Sequence, residues 1–177
     1  MEERQKKSDS GDMTAEVVNI TQGRTRNVTG THVTLRQAGA QSVSAENLVI
    51  RQGGVVKAQT DRLEMLQGGV MLAQTQTAGL TASQAGAILS EGDVTMEQSG
   101  AQVLLARGDV KMDQSGAVAM IARNVKAENS GAVFLLAREV EGTVNAAFGP
   151  RESVIFGVIA GAVAGLVLLL AKLSKQE

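Results

Sequence analysis

Two apolar residues flanking a polar one, followed shortly by an amide, recur along most of the chain. Val33-Thr34-Leu35, Leu63-Glu64-Met65, Val94-Thr95-Met96 and Val110-Lys111-Met112 show the alternation that gives a strand one inward face. The amide falls at Gln22, Gln37, Gln52, Gln67, Gln84, Gln98, Gln114 and Asn129, with spacings of 15, 15, 15, 17, 14, 16 and 15 residues. Four residues before it stands Val18, Val33, Leu48, Leu63, Leu80, Val94, Val110 or Val125. Two before it stands Ile20, Leu35, Ile50, Met65, Ala82, Met96, Met112 or Ala127. A glycine follows within two residues, as at Gly53, Gly68, Gly100, Gly116 and Gly131, and is expected to supply the positive φ of a sharp turn. Each unit is therefore expected to run a strand, turn, and run a second strand.

The repetition is plainest in Gly92 to Arg107, GDVTMEQSGAQVLLAR, and Gly108 to Arg123, GDVKMDQSGAVAMIAR. It predicts an all-β repeat, a parallel β-solenoid of about eight rungs of 15–16 residues, each stacked about 4.8 Å over the last. An antiparallel β-meander is the alternative, favoured locally by the Gln-Gly-Gly turns. Stacking explains the amide column and the meander does not, because amides lying over one another hydrogen-bond along a ladder and satisfy each other where they turn inward. The expected divisions are a flexible N-terminal segment over 1–14, the solenoid over 15–148, a linker over 149–153, a transmembrane helix over 154–173 and a short tail over 174–177.

The second strands change character along the chain. Early ones carry Gln41-Ser42-Val43-Ser44, whereas later ones carry Val103-Leu104-Leu105, Ala119-Met120-Ile121 and Phe134-Leu135-Leu136. Consecutive apolar residues put hydrophobic groups on both faces of a strand, so one face needs cover from elsewhere. Leu104, Met120 and Leu135 are expected to form an outward stripe through which the rod self-associates. Arg107, Arg123 and Arg138 close successive units, and Glu97, Asp113 and Glu128 share an outward column; these read as solvated edges that discourage stray lateral pairing.

Val154 to Ala171 is a run of 18 residues without a charge, long enough as a helix to cross the hydrocarbon of a bilayer at about 27 Å. Arg151 and Glu152 precede it, and Lys172 and Lys175 follow. Gly157, Gly161 and Gly165 recur every four residues, a smooth face for transmembrane helix packing. The start of the chain is polar and shows no apolar export segment. The expected topology is thus a single-pass C-terminal anchor with the repeat body in the cytoplasm.

Composition bounds the chemistry. The chain has 177 residues, 20 of them glycine, with three Phe, one Pro and neither Trp nor Tyr, so its core must be thin and aliphatic. With 17 basic and 18 acidic residues and a net charge of -1 it lacks the basic surface that tracks phosphates, so nucleic acid is not an expected partner. No cysteine is present, and the one histidine, His32, stands beside an apolar strand position, so neither a metal centre nor a histidine-based catalytic group is expected, nor any cofactor. Arg107-Gly108-Asp109 and the sequons at Asn19 and Asn27 would need an extracellular setting that nothing else in the sequence supports. Glu97 and Asp113 are the one acidic pair to consider for catalysis, and their repetition as Glu128 argues for a structural column instead.

The repeat body, roughly residues 16 to 142, resembles the bactofilins through units such as GDVTMEQSG and GDVKMDQSG. Bactofilins are bacterial cytoskeletal proteins whose Gly- and Val-rich rungs form a β-solenoid that polymerises end to end, often at a membrane. The resemblance is one of architecture and transfers no functional residue; the amide column and the C-terminal span depart from that family. The sequence therefore points to a non-enzymatic, membrane-anchored scaffold that forms homo-oligomers. The alternative is an adaptor that docks a soluble protein complex on the rod at the membrane.

Overall fold

A computed structural model of the chain describes Arg4–Gln5 and residues 11–148, with side chains over 11–142. The strands are β1 (Arg4–Gln5), β2 (Met13–Thr14), β3 (Val17–Arg51), β4 (Gly54–Leu66), β5 (Gly69–Thr81), β6 (Gln84–Ser90), β7 (Val94–Glu97), β8 (Gly100–Ala106), β9 (Asp109–Asp113), β10 (Gly116–Ile121), β11 (Asn124–Leu136) and β12 (Glu139–Phe148). Every pairing among them is parallel. They wind into a β-solenoid of about nine turns, so the stacked reading holds and the antiparallel meander does not. β1 and β2 fall in the segment expected to be a flexible start. Both pair with β3, Met13 opposite Val28, because Met13 matches the inward column to which Val28 belongs.

Each turn has three sides, one more than the two strands per unit that the sequence suggests. In β4 the inward residues are Val55, Ala58, Thr60, Leu63 and Met65, with Val56-Lys57 and Asp61-Arg62 both outward at the bends between them. Inward pairs separated by two outward residues make a five-residue period, and three periods close a 15-residue turn. We call the side holding Leu63 and Met65 the first, that holding Gly69 and Val70 the second, and that holding Ala73 and Thr75 the third.

The corner between the first and second sides carries the one left-handed residue of each turn: Gln22, Gln37, Gln52, Gln67, Ala82, Gln98, Gln114 and Asn129, with φ between 48° and 60°. The glycines after the amides were expected to supply this conformation. Instead the amide residue takes it, and apart from Gly23 the glycines that follow have ordinary φ. Placing Ala82 in the column corrects the expected assignment of Gln84, which pairs with Gly69 and Gly100 on the second side. The spacing becomes 15, 15, 15, 15, 16, 16 and 15, and the irregular step disappears. The longer turns hold an extra residue at the corner of Gly92 and Gly108. A Cβ on Gly92 would meet Gln76 O at 2.7 Å, so only glycine fits the bulge there.

The interior is filled by complementary volumes. Where the second side contributes Val55 or Val70, the third contributes Ala58 or Ala73. Where the second contributes Ala85, Ala101, Ala117 or Ala132, the third contributes Ile88, Leu104, Met120 or Leu135. Cores are packed to near-crystalline density, so a methylene added on one side must be removed from another.

Buried hydroxyls close the corners. The Oγ of Ser83, Ser99, Ser115 and Ser130 each donate to the carbonyl two residues back at 2.7–2.8 Å. Each also accepts an N–H from the preceding turn, from Gly68, Ser83, Ser99 and Ser115 at 3.1–3.2 Å. This ladder ends at Gly68, where a Cβ would sit 2.8 Å from Gly53 O. At the corner of the third and first sides, Thr60, Thr75 and Ser90 donate to carbonyls of the preceding turn, Glu46, Asp61 and Gln76, at 2.8–3.1 Å. Among the described residues no buried side-chain nitrogen or oxygen lacks a partner.

Candidate functional site

A solenoid with a filled interior acts through its outward columns, which here run along three sides. The amide column is outward rather than inward. Gln22, Gln37 and Gln52 donate through Nε2 to the Oε1 of Gln37, Gln52 and Gln67 at 3.1–3.2 Å, and Gln98 reaches Gln114 at 3.4 Å. All these side chains are exposed, so the ladder trims a corner and leaves no chemistry poised for a ligand.

Leu104, Met120 and Leu135, expected on the outward stripe, face the interior at 0%, 2% and 8% exposure. The run of apolar residues was assigned the wrong parity: the outward residues are their neighbours. Leu89, Leu105, Ile121 and Leu136 form one stacked outward column on the third side. Ala87, Val103, Ala119 and Phe134 form a second, at the bend. Ile121 is 47% exposed and Leu136 63%. In earlier turns the first of these columns holds Ser44, Gln59 and Gln74, the last two hydrogen-bonded at 2.9 Å.

The next column, at the bend between third and first sides, changes in step. It runs Glu46, Asp61, Gln76 and Glu91, then Arg107, Arg123 and Arg138. Arg107 lies 4.0 Å from Glu91, with both side chains exposed to solvent. Among the described residues Arg123 and Arg138 have no ion-pair partner. The nearby Asp93 and Asp109 are occupied in a chain of their own, accepting Asp109 N–H at 2.8 Å and Asn124 Nδ2 at 2.7 Å.

The second side is a long shallow groove of about 1160 Å³. Its floor is the stacked column Gly54, Gly69, Gln84, Gly100, Gly116 and Gly131, which Gly39 continues by one turn beyond the groove. One rim carries the exposed Val56, Met71, Val118 and Val133, interrupted by Gly86 and Gln102, and the amide corner lies beyond the other edge of the floor. None of these glycines has positive φ. A Cβ on Gly39, Gly54, Gly69 or Gly116 would meet its nearest atom at 3.6–3.9 Å, and on Gly100 nothing within 4 Å. Neither backbone conformation nor internal packing requires glycine here, although glycine in a strand costs about 0.5–1 kcal/mol relative to alanine.

His32 is exposed, and among the described residues no three metal-ligating side chains gather. Glu97 and Asp113 pair in register, one above the other, outward at the corner. Gly157, Gly161 and Gly165 lie outside the described residues, as does the whole apolar span; no helix of the described residues is long and apolar enough to cross a membrane. Sequence reasoning missed the serine ladder and the glycine floor, although both recur visibly in Gln98-Ser99-Gly100, Gln114-Ser115-Gly116 and Asn129-Ser130-Gly131. Comparison with protein-family models, curated proteins and solved structures finds no match.

Proposed function

We propose that this protein is a membrane-anchored structural scaffold whose rods pair side by side through the glycine-floored second side. In this reading a single C-terminal span over 154–173 tethers the rod, Gly157, Gly161 and Gly165 form its packing face, and the repeat body lies in the cytoplasm. The carrying observation is the floor: five outward glycines with room for a Cβ and ordinary φ. A stability cost repeated turn after turn, with no internal cause, is accounted for by an external surface that approaches the backbone closely. A second copy of the same flat side is such a surface, and two-fold pairing is self-complementary. Gln84 protrudes from the floor on the same turn where Gly86 leaves a notch in the rim, so bump and notch can exchange between copies. The architectural resemblance to bactofilins supports assembly of rods, and the outward apolar residues on two sides support a protein that works by contact rather than by catalysis.

The test uses the full chain in detergent and exploits its lack of cysteine. Gln84→Cys is expected to crosslink between copies through a short bismaleimide, which spans the two-residue offset that seating position 84 at Gly86 leaves. Gly100→Thr with Gly116→Thr is expected to abolish that crosslink while circular dichroism and the melting temperature hold or rise. Crosslinking that persists in a folded, floor-filled variant rejects the pairing. A chain that stays uncrosslinked until another soluble protein is added supports the adaptor reading in its place.

A further inference from the structure

We infer that the C-terminal half of the third side is a membrane-surface docking face, seating its apolar columns among the acyl chains and its arginines on anionic headgroups. The inference rests on the membrane-tether reading but goes beyond it: the rod lies against the bilayer on a defined side rather than standing off it. Three observations carry it.

First, two neighbouring columns switch chemistry within a turn of each other. The outward column passes from Gln59 and Gln74 to Leu105, Ile121 and Leu136, and the adjacent bend from Asp61 and Glu91 to Arg107, Arg123 and Arg138. An apolar strip edged by cations is the pattern of an interfacial surface, the guanidinium heads reaching headgroup level while their stems cover hydrocarbon. Second, the chain leaves its last described strand at the edge of this side, where Phe148 pairs with Phe134 in register. The apolar span begins six residues later at Val154, a linker that reaches at most about 20 Å. A bilayer that receives the span therefore lies within that reach of this edge.

Third, a second copy fits the face poorly. A parallel two-fold sets Arg107 against Val103 and Arg123 against Ala119, covering cations with no counter-charge. An antiparallel copy that sets Arg138 against Asp61 sets Leu136 against Gln59 and Ile121 against Gln74, covering hydrocarbon with amides. Anionic lipid satisfies both columns at once.

The experiment reconstitutes the full chain in phosphatidylcholine vesicles with and without phosphatidylserine, each chain carrying one environment-sensitive fluorophore. Labels on Ile121→Cys and Leu136→Cys are expected to shift to the blue and to be quenched by brominated lipid when phosphatidylserine is present. Labels on Gln59→Cys, in the same column, and Thr95→Cys, on the first side, are expected to report water. Arg123→Glu with Arg138→Glu is expected to reduce lipid quenching at position 121 several-fold, and added salt to weaken it. Flotation of the chain with the vesicles is read separately. Chains that do not float overturn the tether and the docking with it. Chains that float while the label at 121 reports water, or is shielded by another copy without lipid quenching, overturn the docking alone.

Discussion

The N-terminal and C-terminal halves of the rod share the amide corner, the outward glycines of the second side and the inward apolar pair of the first. They differ in how the second and third sides fill the core and in what the third side carries outside. Val55 with Ala58 and Val70 with Ala73 fill two early turns, whereas Ala101 with Leu104 and Ala117 with Met120 fill later ones. The early corners turn through Ala38, Gly53 and Gly68, the later ones through the serine ladder. Outside, polar and acidic columns give way to apolar and basic ones. Backbone pairing between parallel turns is indifferent to side chain, so the ladder sets the shape while each column stays free to vary, provided its volume is returned elsewhere in the same turn. The two halves thus separate what the fold requires from what it merely carries, and only the second can encode a contact.

The largest effect should come from the parity of the later third side. Leu104→Ala is expected to destabilise by about 2–5 kcal/mol, the range for deleting a fully buried leucine. Leu105→Ala, one residue along and outward, should stay within about 0.5 kcal/mol. Denaturant unfolding followed by far-ultraviolet circular dichroism, in detergent, measures both; equal effects would mean that the strand's facing is misassigned. A graft from the early half into the later one probes the volume rule next. Ala101→Val alone should cost about 1–3 kcal/mol by overpacking. Combined with Leu104→Ala it recreates the pair Val70 and Ala73, and the two losses should fall short of additive by about 0.5–3 kcal/mol.

How much of this could be read from the sequence depended on which signal set each feature. The inward residues of the first side, such as Leu63 and Met65, stood out because a period of two is unbroken there. The stacking of turns followed from one amide returning at one place. Parity failed on the third side because Leu104, Leu105 and their equivalents are apolar on both faces, so alternation had nothing to distinguish. The amide of Gln84 points to the wrong corner residue, because the role of Ala82 is conformational and leaves no mark on side-chain type. Three sides went unseen because the five-residue period is written in burial, through alanine, threonine and serine, rather than in hydrophobicity.

The serine ladder offers a third, intermediate test. Ser99→Ala removes the acceptor that Ser83 N–H meets at 3.1 Å inside the corner. An unsatisfied buried donor costs about 1–3 kcal/mol, so the midpoint of unfolding should fall accordingly. Faster amide exchange at Ser83, with the other turns unchanged, would place the loss at that corner. Unchanged exchange there would mean that the hydroxyl contributes nothing to it.

The smallest effect expected lies at Ala82, where the two halves meet. It holds φ 48° with a side chain that gains nothing from the left-handed region, and it interrupts the amide column between Gln67 and Gln98. Asparagine tolerates that conformation best among residues with a side chain, so Ala82→Asn should stabilise by a few tenths to about 1 kcal/mol. Ala82→Gly separates the two causes, since it relieves the backbone without adding an amide and gives up unfolded-state entropy in return. If glycine matches asparagine, relief of the backbone is the whole of the gain. If Ala82→Gln, which keeps the backbone strain of alanine, is more stable than the wild type, the exposed amide ladder itself stabilises the rod, and its gap at this turn is a weak point between two halves that carry different surfaces.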